Sequence, residues 1–150
     1  MIYKIYCDGS CKNNGAENAE GAWAYVILNE TSKKFIRDSG FENGTTNQRM
    51  ELLAAIRALD KFHTLTLTED EYKLQVCTDS AYLFNCWNAK WYVDWQKHYW
   101  RNSSKKEVAN RDLWEELVKY FEDEHIEFVK VKGHSGDSWN EFVDGIAQRK

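Results

Sequence analysis

Apolar and aromatic residues crowd positions 2–8, the pattern of a β-strand. Positions 9–21 turn polar and rich in Gly and Asn, which reads as a loop. Trp23, Tyr25, Val26 and Ile27 mark a second strand over 22–28. A turn over 29–33 leads to a third strand over 34–41. Such short links between consecutive strands imply antiparallel pairing.

The period then changes. Leu52, Leu53, Ile56 and Leu59 recur at helical spacing, so a helix is expected from about Asn47 to Phe62. Thr45 followed three residues later by Gln48 fits a capping box at its start. After a polar break at 69–71, residues 72–77 read as a strand. Asp79 or Ser80 caps a helix reaching about Trp87. Residues 88–106 are aromatic and basic, and helical in part; Trp87, Trp91 and Trp95 stand at i, i+4 and i+8. Asp112 to Tyr120 forms a helix with Leu113, Leu117 and Tyr120 on one face. Residues 126–132 alternate as a strand, 133–137 form a loop, and Ser138 caps a last helix to about Gln148. The order β-β-β-α-β-α-α-β-α predicts an α/β fold. Its five-stranded mixed sheet has three antiparallel strands, then parallel β-α-β units, with helices on both faces.

Composition narrows the class. No repeat or low-complexity linker divides the 150 residues, so a single domain over 1–150 is expected. No run approaches 18 apolar residues, and the first residues lack the basic and apolar regions of a signal peptide. A cytoplasmic protein with no membrane contact is the expectation. Cys7, Cys11, Cys77 and Cys86 make no C-x-x-C pair and read as reduced thiols rather than a disulfide or zinc framework. Net charge is −4, yet residues 97–106 carry +4 with no acid among them. A basic segment on an acidic body calls for a partner of negative charge.

The acids also fall in a pattern. In a sheet of this kind ligands favour the carboxyl ends of parallel strands. Asp8 is expected to end the first strand and Asp79 the fourth, so their carboxylates converge if those strands are neighbours. Glu51 lies near the start of the capped helix beside apolar Leu52 and Leu53, which draw it toward the sheet. Asp144 follows Asn140 by four residues on the last helix, among Phe142, Val143 and Ile146. Buried like charges need a cation between them. Carboxylate oxygens suit Mg²⁺ or Mn²⁺, and such a cluster suggests two-metal phosphoryl transfer.

The chain closely resembles type 1 ribonuclease H of the bacterial-like branch. The resemblance rests on Asp8-Gly9-Ser10-Cys11, Thr46-Asn47-Gln48-Arg49-Met50-Glu51-Leu52, Thr78-Asp79-Ser80, Val131-Lys132-Gly133-His134-Ser135-Gly136 and Asn140 with Asp144, in order along nearly the whole chain. It implies endonucleolytic cleavage of the RNA strand of RNA–DNA hybrids, leaving 5′-phosphate and 3′-hydroxyl ends. By the same resemblance Asp8 bridges two Mg²⁺ ions, with Mn²⁺ able to substitute. Asp144 joins it at the ion that activates water, and Glu51 and Asp79 join it at the leaving-group ion. His134, in a glycine-flanked loop, matches the family's histidine of proton transfer or product release.

The substrate contacts follow in the same way. Cys11, Asn14, Asn47 and Gln48 match positions near the substrate groove. Trp95, Lys97, Arg101, Lys105 and Lys106 match a basic handle that grips DNA phosphates. The handle is less basic than is usual in the family, with Gln96 and Tyr99 breaking the run, so weak and salt-sensitive binding is expected. A monomer is expected, since no long amphipathic edge or heptad is free, and, with the sequence starting directly at the first strand, no separate hybrid-binding domain is expected before it. Three rivals stand beside the resemblance: a resolvase- or integrase-like nuclease, a hybrid-binding module without catalysis, and a redox or zinc protein.

Overall fold

The protein is described here from a computed structural model, covering residues 1–65, 71–131 and 138–148. Five strands form one mixed sheet: β1 (Ile2–Lys12), β2 (Glu20–Asn29), β3 (Phe35–Asn43), β4 (Lys73–Thr78) and β5 (Ile126–Lys130). Their spatial order is β3-β2-β1-β4-β5. β1 pairs antiparallel with β2 and parallel with β4, and β4 pairs parallel with β5. The helices are α1 (Asn47–Phe62), α2 (Ala81–Asn88), α3 (Trp91–Lys97), α4 (Arg111–Leu117) and α5 (Ser138–Gln148).

Alternation along β1 sorts the core into two layers. Ile5 and Cys7 join α1, α2 and α4 in the larger one, with Phe62, Leu83, Trp114 and Phe128. Tyr6 turns to the opposite face, where Val26, Leu28 and Cys77 meet Val143 of α5. Helices on both faces of a mixed sheet are what the order of elements predicts. Full burial of each large side chain here contributes about 1.5–3 kcal/mol.

Four expectations need correction. Asp8 does not end its strand: β1 continues to Lys12, because Gly9 to Lys12 stay paired with β2. The partner that stops is β4, whose ladder with β1 ends at Tyr6 opposite Cys77. The cap of α1 is Thr46 rather than Thr45; its hydroxyl accepts the Arg49 N–H at 3.2 Å. Arg49 then holds the third helical position, where a capping box places Glu or Gln, so the reciprocal half of the box is missing. Ser80 caps α2, accepting the Leu83 N–H at 3.1 Å.

The third and fourth corrections lie in the connection from β4 to β5. It holds three α-helices where the expected order counted two: the helical part of 88–106 is a helix of its own, α3, because Lys90 at φ 56° separates it from α2. The i, i+4, i+8 tryptophans therefore do not share one helix. Trp87 packs on Phe128 from α2, while Trp91 and Trp95 belong to α3. Finally, α4 closes at Leu117 into a 3₁₀ turn over Val118–Tyr120, so the single helix expected to Tyr120 is two pieces.

Candidate active site

Asp8 follows Tyr6 on the α5 side of β1, two residues beyond the last residue paired with β4. Past that point the sheet has an open corner. Asp79 leaves the end of β4 at the same corner. Glu51 enters from α1, on the opposite layer. The approach is close: a Cβ on Gly9 would lie 2.3 Å from the Met50 carbonyl carbon and 2.5 Å from the Glu51 nitrogen. Only glycine lets the first turn of α1 rest against β1 here. Carboxylate oxygens of Asp8, Glu51 and Asp79 all lie within 4.8 Å of one another.

Asp144 completes the corner from α5. Its carboxyl shares a hydrogen bond with Asp8. The Ser10 hydroxyl ties α5 down by donating to the Ala147 carbonyl at 2.8 Å. The Gly9 N–H donates to Asp8 Oδ1 at 3.0 Å. Ser80 bonds Glu51, but Glu51 Oε2 is buried with no hydrogen-bond partner among the described residues. Burial first, then the bond to Asp144 and the charges of Asp79 and Glu51, push Asp8 up to about 9. Burial first, then Asp79, pushes Glu51 up to about 8. A crowded corner of acids that holds its protons, with an orphaned carboxylate oxygen in it, fits a divalent cation of hard oxygen preference.

A second group gathers where β1 meets α1. Asn14 Oδ1 accepts the Asn47 N–H at 2.8 Å, adding to the cap of α1. The Cys11 thiol lies 3.6 Å from the Thr45 carbonyl, which also accepts the Gly15 N–H. Cys11, Asn14 and Asn47 are thus brought together, and Gln48 follows, exposed, on the same helical turn. Cys7, Cys77 and Cys86 are buried, and none of the four cysteines is paired. His134 lies outside the described residues.

The handle hangs between Lys90 and Asn110, both left-handed. Tyr92 pins α3 to the body, buried beside Phe121 and donating its hydroxyl proton to Glu122 at 2.9 Å. Trp95 packs against Trp91, Trp100 and Trp114. Trp114 is fully buried and donates its indole N–H to the Tyr82 hydroxyl at 2.9 Å. Lys97, Arg101, Lys105 and Lys106 are exposed. Arg101 bends back, donating to the Lys105 carbonyl at 3.1 Å. Trp95 and Arg101 share an open cleft of about 490 Å³ with Asp94, His98, Asn102 and Ser103.

The sequence reading quoted Gly9, Ser10 and Arg49 within motifs and took Ser80 as a helix cap, but gave no site role to Gly9, Ser10, Ser80 or the pair Arg49–Asp112. The last is a two-pronged bond, at 2.7 and 3.0 Å, from α1 to the first turn of α4. Asp8-Gly9-Ser10 carried a usable signal: an acid followed by a residue without a side chain and then by a hydroxyl.

Fold and corner together define a nuclease built on a mixed sheet with an acidic cluster able to hold metal. The chain belongs to the RNase H family, whose model matches residues 2–150. It is 41% identical over 144 residues to a ribonuclease H of Caldicellulosiruptor saccharolyticus, spanning 96% of this chain and 92% of that protein. It is 40% identical over 144 residues to a ribonuclease H of Syntrophomonas wolfei, with the same shares. Among solved structures it is similar to LC9-RNase H1, described as a type 1 RNase H with the type 2 active-site motif. The TM-score is 0.75 at 26% identity, over 97% of this chain and 70% of that one.

Proposed function

We propose that this protein hydrolyses the RNA strand of RNA–DNA hybrids, with Asp8, Glu51, Asp79 and Asp144 holding two divalent cations, Mg²⁺ or Mn²⁺. The observation that carries the reading is the meeting of three carboxylates within 4.8 Å at the open sheet corner of an RNase H family member. When bound, the cations lower the pKa of the attacking water and hold the charge that gathers on the scissile phosphate.

The chain's own residues set the stage for that chemistry. Gly9 fixes the distance between the helix that bears Glu51 and the strand that bears Asp8. The tie from Ser10 to α5 keeps Asp144 over Asp8. Cys11, Asn14, Asn47 and Gln48 offer a neutral polar surface to the backbone and 2′-hydroxyls of a hybrid, which is recognised by shape rather than by sequence. Lys97, Lys105 and Lys106 meet DNA phosphates, with Arg101 beside them. His134 moves a proton or helps product leave. The products carry 5′-phosphate and 3′-hydroxyl ends, and the protein acts as a cytoplasmic monomer.

The test is cleavage of an end-labelled hybrid with Mg²⁺, beside single-stranded RNA, RNA duplex and DNA duplex, each with an EDTA control. Metal-dependent cutting of the hybrid's RNA strand alone is expected. Intact hybrid in both Mg²⁺ and Mn²⁺, from folded protein, overturns the reading.

A further inference from the structure

The end of α3 holds a residue that its backbone does not suit. There the Trp100 N–H reaches back to the Trp95 carbonyl at 2.6 Å, and the two rings lie 6.0 Å apart. This is the outer, six-to-one bond of a Schellman closure with its usual apolar contact, and the residue just before Trp100 is ordinarily glycine, since it must turn left-handed. Here it is Tyr99, at φ 54°, and Trp100 follows at φ 62°. A left-handed residue brings its Cβ against the backbone carbonyl, which every side chain except glycine resists.

Packing does not account for the ring. Tyr99 is 83% exposed, and its side chain makes no hydrogen bond or ring contact among the described residues. Along the chain it is flanked by charge: residues 97–106 hold Lys97, Arg101, Lys105 and Lys106 with no acid. Its neighbour His98 lines the cleft shared by Trp95 and Arg101. An exposed aromatic ring on a basic arm is what sequence-tolerant binding of single strands uses, by stacking on bases. Inside a duplex both faces of each base are covered by its neighbours, so an unpaired base is the freest acceptor of the ring.

We infer that Tyr99 stacks on an unpaired base of single-stranded DNA running off the hybrid, so that the protein prefers hybrids flanked by DNA over blunt ones. The inference rests on the hybrid-cleaving function proposed above. It makes Tyr99 a residue that sets substrate preference at the expense of fold stability.

Affinity is read by fluorescence anisotropy in EDTA for three hybrids: blunt, extended at either end of the DNA strand by single-stranded DNA, and extended by an abasic spacer of equal length and charge. The parent protein binds the base-bearing extension about fivefold more tightly than the other two, at the low end of one base stacked on one ring. Tyr99→Gly removes that preference and raises Tm, because the backbone strain goes with the ring. Tyr99→Phe keeps the preference. Equal binding of abasic and base-bearing extensions overturns the inference, since charge alone then explains the gain. So does a preference that survives Tyr99→Gly, a preference lost in Tyr99→Phe, or a Tm lowered by Tyr99→Gly. Failure of the parent protein to bind or cut any hybrid overturns the underlying function as well; normal cleavage with equal affinity for all three overturns only the inference.

Discussion

Asp8, at about 9, and Glu51, at about 8, hold protons near neutral pH that the unfolded chain has released by about pH 4. The sign of the linkage follows. Their contribution to the metal-free fold is fully present below the unfolded values and is lost as pH rises through the folded ones, so this corner destabilises the protein increasingly up to about pH 9. A divalent cation takes the place of the protons. The rise in Tm on adding Mg²⁺ is therefore expected to be small at pH 5 and greatest near pH 9; a rise that ignores pH argues that Mg²⁺ binds elsewhere. Asp8→Asn keeps the shape of the side chain and is neutral without taking up a proton on folding. It is expected to abolish hybrid cleavage while the metal-free protein melts higher at pH 8, by on the order of several degrees. Near-normal turnover from this variant refutes the role given to Asp8. Gly9→Ala is the converse case, since its Cβ would collide with backbone at Met50 and Glu51. A loss of about 1–3 kcal/mol in urea unfolding is expected, with more Mg²⁺ needed to raise Tm.

At the scale of elements, α1 is the part that joins site to handle. Thr46 and Asn14 secure its first turn, and Arg49 clasps Asp112 on α4. The clasp is half open to water, with side-chain exposures of 33% and 66%, so it contributes at most about 1 kcal/mol. A double-mutant cycle on Arg49→Ala and Asp112→Ala checks this: additive losses mean no coupling. Thr46→Ala is expected to cost about 1 kcal/mol through the lost cap. The spans of α1 and α5 were legible because their apolar spacing is long, while their caps were not: Thr46 caps α1, and Ser138, expected as a cap, is the first helical residue of α5. The end of β1 was not, since Gly9, Ser10, Cys11 and Lys12 look like a loop and become strand only through pairing with β2. The split of the tryptophan helix was hidden for a similar reason. Lys90 is an ordinary helix former, and nothing in its own chemistry marks the left-handed turn it makes between α2 and α3. Of the acids, residue identity and position were readable from the chain. Their meeting was readable on one condition, that β1 and β4 be parallel neighbours, and the structure meets it; what the chain did not show is that β4 leaves β1 two residues before Asp8.

Taken whole, the molecule is an acidic body, net −4, with a small basic arm. With Arg101 turned toward a carbonyl, Lys97, Lys105 and Lys106 remain for phosphates. A plot of log affinity for hybrid against log salt is expected to slope by about −3, near −0.9 for each phosphate met. A slope near zero rejects the arm as the phosphate grip. The sheet order carries a consequence in time. β1, first in the chain, lies at the centre, and its larger core layer begins to form as soon as α1 has been made. The other layer waits for α5, whose Val143 covers Tyr6, Val26, Leu28 and Cys77. During synthesis that face of the sheet stays bare until residues 138–148 have left the ribosome, and apolar surface bared in a nascent chain is where aggregation starts.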